Sequence, residues 1–305
     1  MGKPPSTSLT RRSLVGCAAA LLLPAAGQAA SPLLTRPIPS SGEALPVVGL
    51  GTWITFNVGN DPAARADRAE VMRQFFEAGG RMIDSSPMYG SSQPVIGEGV
   101  AKLQPGATLF AADKVWTSSD GARQIEQSRR LWRVPRFDLL QVHNLLAWER
   151  QLPLLFELKR KGEVRYVGIT TSEARRHAEV EQIMRAQPLD FVQVTYNILD
   201  REVEQRILPL ARERGIAVIA NRPFREGALI DAVRRHPLPP WAAEIDCANW
   251  AQYLLKFIVS HPALTCAIPA TSSAAHVREN MGAARGRLPD EAMRRRMAQH
   301  AGRLT

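Results

Sequence analysis

The sequence predicts an α/β protein, a single-domain (β/α)8 TIM barrel, on three observations. From residue 46 onward, short apolar segments and segments of helical period alternate eight times. The short segments are nearly continuous apolar runs, such as Leu139-Leu140-Gln141-Val142, which is what parallel strands covered on both faces require. Side chains able to do chemistry gather where those runs end, the end at which barrel enzymes carry their sites. A chain of 305 residues that is 45% hydrophobic is long enough for one such core.

The first 29 residues are of another kind. Arg11-Arg12 lead into Ser13-Leu14-Val15-Gly16-Cys17-Ala18-Ala19-Ala20-Leu21-Leu22-Leu23, and small residues follow up to Ala29. A basic start, a short apolar stretch and a small-x-small end describe an export signal, and the adjacent arginines give it the twin-arginine type. The apolar stretch is shorter than the roughly 20 residues of a membrane span, so no stable membrane anchor is expected. Leu14-Val15-Gly16-Cys17 imitates a lipoprotein box, but too little apolar sequence precedes the cysteine. The organisation expected is therefore a signal over residues 1–29, cleaved after Ala29, and a barrel over 30–305. The twin-arginine export machinery becomes a partner and the periplasm the destination. That route carries already folded proteins.

After a Pro/Ser-rich entry, residues 33–39 are expected to form one arm of a hairpin closing the barrel floor. Strands are predicted at 46–52, 82–85, 108–114, 138–143, 166–170, 191–196, 216–221 and 264–269. Helices are predicted at 61–79, stopped by Gly79-Gly80, and at 95–103, 122–131, 149–161, 173–186, 203–214, 246–260 and 273–284. An amphipathic pattern over 289–300 adds a final helix containing Arg294-Arg295-Arg296. That run is a solvated helix face and makes no nucleic-acid site by itself. The net charge of +10 favours anionic ligands only by general steering. Of three cysteines, Cys17 falls in the signal; Cys247 and Cys266 read as small core residues. Without C-x-x-C spacing or a histidine cluster, no metal is expected.

The chemistry centres on Ile83-Asp84-Ser85-Ser86-Pro87-Met88-Tyr89-Gly90. Asp84 ends a buried strand and Tyr89 is handed to the loop above it. A phenol with an ordinary pKa near 10 becomes a useful acid beside a cation, and the next two strand ends offer Lys114 and His143. Asp84 would hold the lysine, the lysine would draw the Tyr89 pKa down toward working pH, and His143 would donate a hydrogen bond to a carbonyl. A tyrosine acid beside a polarised carbonyl still needs a reductant, and no protein side chain supplies hydride, which implies a nicotinamide cofactor.

These residues, with Gly49-Leu50-Gly51-Thr52-Trp53, Lys114-Val115-Trp116, Gln141-Val142-His143-Asn144, Gly162-Glu163-Val164-Arg165-Tyr166-Val167-Gly168-Ile169, Gln193-Val194-Thr195-Tyr196-Asn197, Ile268-Pro269 and Glu279-Asn280, resemble the aldo/keto reductases in order over nearly the whole chain. The resemblance makes Asp84, Tyr89, Lys114 and His143 the catalytic four, with Tyr89 the general acid in reduction. It implies NADP or NAD as cofactor, bound by Gly51 and Thr52, by Thr170, Thr171 and Gln193 at the carboxamide, and by the stretch Asn221, Arg222, Pro223 and Phe224. It gives the phosphate and adenine end to Ala270, Thr271, His276, Glu279 and Asn280, where a helix N-terminus is a natural anion site. Thr171 stands where an amide is usual, and Asn221 where an aromatic ring stacks on the nicotinamide. Ala270 and His276 replace the cations that grip a 2′-phosphate, which weakens the family's preference for NADP.

Trp53 and Trp116 match pocket aromatics of the family, and Leu145 and Trp148 are expected to add an apolar wall for a small carbonyl or alcohol substrate. A monomer or weak oligomer is expected. Two other functions share the pattern: a catalytically idle nucleotide-binding subunit or sensor on the same barrel, and a lyase or isomerase using the last helix for a substrate phosphate. The complete set of four catalytic residues favours the reductase.

Overall fold

Alternation along the strands decides what the barrel holds inside. The computed structural model describes residues 1–3 and 31–305. All but the first three residues of the expected export signal lie outside the described residues. Strands β1 (Thr35–Pro37) and β2 (Ala44–Pro46) form an antiparallel hairpin, as expected for the floor. Then come β3 (Leu50–Gly51), β4 (Met82–Asp84), β5 (Phe110–Val115), β6 (Phe137–Val142), β7 (Val164–Thr170), β8 (Phe191–Thr195), β9 (Ala217–Asn221) and β10 (Cys266–Ala267), all parallel and hydrogen-bonded in sequence order. Parallel bridges Val48 to Ala267 and Gly51 to Ala270 join the two edge strands, so the sheet closes. Gly51 is required at that seam, because a Cβ there would stand 2.7 Å from the Ile268 carbonyl oxygen.

Helices follow the strands: α1 (Pro62–Glu77), α2 (Ser92–Leu103), α3 (Gly121–Trp132), α4 (Trp148–Arg160), α5 (His177–Ala186), α6 (Ile207–Arg214), α7 (Ala228–Val233), α8 (Trp250–Val259), α9 (Ala274–Gly282) and α10 (Glu291–Ala301). Their starts follow side-chain chemistry. Asp61 accepts the Ala63 N–H and precedes Pro62 at the first turn of α1, Asp120 caps α3, and Asn249 caps α8. That last cap explains why the predicted helix at 246 begins at Trp250, and Asp246 itself takes a left-handed backbone. The predicted helices at 173 and 203 open instead with short 3₁₀ turns. The outer strands β3 and β10 are shorter than predicted, since the seam is held by isolated bridges. Residues 222–245, left without structure by the sequence reading, carry α7 and a 3₁₀ turn over Pro240–Ile245.

One buried cluster fills the space between strands and helices, with Ile83, Ala111, Val142, Ile169, Val194 and Ala220 on the outward side. A second contains Ile38 and Leu45 of the hairpin with Met82, Phe110, Ala112, Leu139, Tyr166, Phe191, Ile219 and Ile268. Apart from Phe137 and Val164 at the starts of β6 and β7, the strand members of the two clusters have opposite parity, so the second is the barrel interior. Carrying the inward parity onward gives Asp84, Lys114, Gln141, Thr170, Gln193 and Asn221. The interior therefore changes from apolar at the floor to polar at the carboxyl ends.

Candidate active site

Three consecutive strands build the centre. Asp84 closes β4 and is 2% exposed; Lys114, near the end of β5, is fully buried with Nζ 2.6 Å from Asp84 Oδ2. The ammonium also donates to the Ser85 carbonyl at 2.7 Å. The other Asp84 oxygen accepts Gln193 Nε2 at 2.8 Å and Gln141 Nε2 at 3.4 Å, and the Asp84 carbonyl accepts the Thr52 hydroxyl at 2.9 Å. Burial is the largest single influence and works against the charged lysine; the Asp84 charge and hydrogen bond, joined by Tyr89 and Asp113, together outweigh it and raise the Lys114 pKa. Lys114 Nζ lies 5.1 Å from the Tyr89 ring centroid, and the Tyr89 and His143 rings meet edge to face at 5.6 Å. The structure thus brings the four expected catalytic side chains together.

One expectation is corrected. The Tyr89 pKa is raised: burial is the largest influence, and the lowering by Lys114 does not overcome it. The phenol keeps its proton at working pH, which is the form a proton donor needs. His143 is held down to about 2, by burial first and the Lys114 charge second, so its ring is neutral. Its Nδ1 lies 2.7 Å from the Ser86 hydroxyl, a contact between residues 57 apart that the sequence reading did not anticipate.

A cleft of about 570 Å³ opens over this centre and runs to the last helix. Of the expected cofactor residues, Gly51, Thr52, Gln193, Asn221, Arg222, Pro223, Phe224, Ala270, Thr271, His276, Glu279 and Asn280 line it. Thr170 and Thr171 do not: the Thr170 hydroxyl donates to Gln193 Oε1 at 3.2 Å, and Thr171 accepts the Glu173 N–H at 3.0 Å. Ser172 and Asn144 form that part of the wall instead. Both ends of the Gln193 amide are therefore engaged inside the protein. Asn221 is held by Thr195 and by the Thr171 carbonyl, at 2.8 and 3.3 Å.

The expected substrate wall also needs revision. Trp53 lines the cleft, but Trp116, Leu145 and Trp148 do not. Trp116 is 41% exposed with its backbone clamped by Gln124, Leu145 is buried, and the Trp148 indole donates to Glu179 at 3.1 Å. Apolar lining comes instead from Ile54, Met88, Phe224 and Ile230. The last two belong to the 222–245 segment, which also brings Glu226 and Asp231; Arg222 and Glu226 pair at 3.2 Å. Among the described residues, seven of the ten non-glycine residues with positive φ lie in loops beyond β3, β6 and β9: Ile54, Asn144, Leu145, Ala147, Arg222, Arg225 and Glu226. Backbone strain of about 1–3 kcal/mol each is thus concentrated at the mouth of the cleft.

The model of the aldo/keto reductase family matches residues 47–299. The chain belongs to the aldo/keto reductase family. Among curated relatives, it is 27% identical over 250 residues to a methylglyoxal reductase of Escherichia coli, covering 79% of this chain and 86% of that protein. An NADH-specific methylglyoxal reductase of the same organism is 26% identical over 242 residues, covering 67% of this chain and 71% of the relative. Among solved structures, an aldo/keto reductase from Klebsiella pneumoniae in complex with NADP and acetate superposes with a TM-score of 0.73 at 23% identity, over 85% of this chain and 93% of that one.

The end of the cleft toward α9 is short of free cations. Arg68 spends its guanidinium on the Thr55 and Ser272 carbonyls, at 2.7 and 2.8 Å, and Arg278 turns to Gln74 at 3.1 Å. Thr271 accepts the Ser273 N–H at 3.1 Å, and the Ser273 side chain accepts the His276 N–H at 3.4 Å to cap α9.

Proposed function

We propose that the chain reduces an aldehyde or ketone to an alcohol, and oxidises alcohols in reverse, with NADH or NADPH as the second substrate. The observation that carries this reading is a protonated Tyr89 beside the Asp84 and Lys114 ion pair, facing the same cleft as a neutral histidine. A nicotinamide nucleotide fits the residues present: a long cleft with hydroxyls and amides along one wall, and the capped start of α9 at its far end. When bound, it supplies hydride. Tyr89 then gives its proton to the carbonyl oxygen that receives the negative charge, while His143 holds that oxygen in place. Lys114 opposes the charge left on the phenolate and keeps its place through Asp84.

The adenine wall presents Glu279 and neutral Thr271, with no free lysine or arginine among the cleft-lining residues near it, which suits NADH at least as well as NADPH. The printed activities of the two Escherichia coli relatives make methylglyoxal the first carbonyl to offer. The expected result is consumption of reduced nucleotide with an aldehyde or dicarbonyl. A Tyr89→Phe change should lower kcat by about 10²–10⁴-fold while nucleotide binding, read by tryptophan fluorescence, persists. Full activity in that variant would sink the assignment. Nucleotide binding without reduction of any carbonyl would give the lead to the idle-subunit alternative.

Export belongs to the same proposal: residues 1–29 act as a twin-arginine signal, residues 30–305 as the enzyme, and the site of action is the periplasm. The support is Arg11-Arg12 ahead of one short apolar run. Changing both arginines to lysine should leave an uncleaved precursor in the cytoplasmic fraction, and unchanged export would remove the assignment.

A further inference from the structure

The partner of His143 is a serine placed by the same turn that holds the lysine. Ser86 is fully buried and His143 is 5% exposed, with Oγ to Nδ1 at 2.7 Å. The turn is anchored on both sides, since the Ser85 carbonyl receives Lys114 Nζ and the Ser85 hydroxyl meets Ser92 Oγ at 2.9 Å. Ser86 Oγ also accepts the Met88 N–H at 3.2 Å. A serine hydroxyl has one proton to give, and a neutral imidazole has one nitrogen that donates and one that accepts. If Nδ1 carried the ring proton, Ser86 Oγ would accept from both Nδ1 and Met88, leaving its own proton unpartnered in a buried site, where an unmade bond is costly. If Nδ1 is bare, the Ser86 proton goes to it and both groups are satisfied.

We propose that Ser86 is a positioning residue of this reductase: its hydroxyl donates to Nδ1 and locks His143 as the Nε2–H tautomer, which turns the single ring N–H toward the substrate oxygen in the cleft. The inference rests on the reductase reading for its functional half, while the tautomer itself can be read without any turnover. With the opposite tautomer, a lone pair would face the carbonyl oxygen and repel it, so the lock decides whether the histidine assists or hinders.

The test uses ¹⁵N-histidine-labelled full-length protein in three forms: wild type, Ser86→Ala and Ser86→Thr, with His143→Gln identifying the resonances. Wild type and Ser86→Thr should show a protonated Nε2 and a bare Nδ1. Ser86→Ala should show both tautomers, and its kcat/KM for an aldehyde should fall by about tenfold, less than the 10²–10³ lost when a donor is removed outright. Restoration of both signals by threonine separates the hydroxyl from the packing of the turn. A protonated Nδ1 in the wild type overturns the proposal even if Ser86→Ala does not fold. So does a Ser86→Ala protein that keeps one tautomer or stays within twofold of the wild-type kcat/KM. A locked tautomer in a protein that reduces no carbonyl would uphold the lock and sink the reductase reading instead.

Discussion

Two buried carboxyl groups flank Lys114 in one wall of the barrel, and the face each one turns to separates their chemistry. Asp84 points inward and meets three donors, Lys114, Gln193 and Gln141. Asp113, the residue just before Lys114 on β5, points outward and is fully buried between the strand and the helices. There it accepts one hydrogen bond, from Gln93 Nε2 at 2.7 Å, and its Oδ1 has no partner. Burial pushes the Asp113 pKa up to about 7 against the opposing pull of Lys114. Residue type and depth are the same; the number of donors each carboxyl meets differs. The alternation of a single strand thus puts a working cation on one face and a carboxyl near neutrality on the other.

The sharpest way to break this comparison is Asp84→Asn. The change removes the carboxylate that, among the described residues, is bonded to the Lys114 ammonium, and leaves a cation in a site with no exposure. Breaking a buried pair from one side typically costs about 3–5 kcal/mol, which for a chain of this size lowers Tm by roughly 10 °C. The carbonyl rate should fall with it, by at least about 100-fold, because Lys114 would lose either its charge or its place beside Tyr89. Thermal unfolding and kcat measured on the same preparation check both. A Tm within about 2 °C of the wild type would mean that the pair does not hold the lysine.

The inward face was legible in the sequence because two short-range patterns coincide there. Apolar runs such as Phe110-Ala111-Ala112 mark strands, and Asp84, Lys114 and His143 follow at their ends, so strand parity alone gathers them. The fate of Trp116, Leu145 and Trp148 was not legible. They lie beyond strand ends, where chain direction is set by loop backbone such as the left-handed Leu145 and Ala147 rather than by a repeating period. Residues 222–245 hid for a related reason: Pro223, Pro237, Pro239, Pro240 and Gly227 interrupt any helical pattern, yet Phe224 and Ile230 line the cleft. The bond from Ser86 to His143 depends on how two strand ends meet, and nothing local in either stretch announces it.

The outward face offers a quieter test, with the opposite sign. An acid whose value rises from 3.8 to about 7 on folding holds its proton more tightly in the native state. Its contribution to stability is therefore fullest at or below about pH 4 and is lost as pH climbs toward 7. Asp113→Asn removes that titration while keeping the shape and an oxygen for Gln93. Near pH 3, below both values, Asp113 is largely protonated in both states, and variant and wild type should unfold at similar denaturant midpoints. Near pH 8 the variant should be the more stable, by no more than about 4 kcal/mol, the ceiling set by the interval from 3.8 to about 7. Relaxation and water entry when Asp113 ionises reduce that figure. A difference that stays flat between the two pH values would mean that a further contact satisfies Oδ1, and that the two carboxyls differ less than their hydrogen bonds indicate.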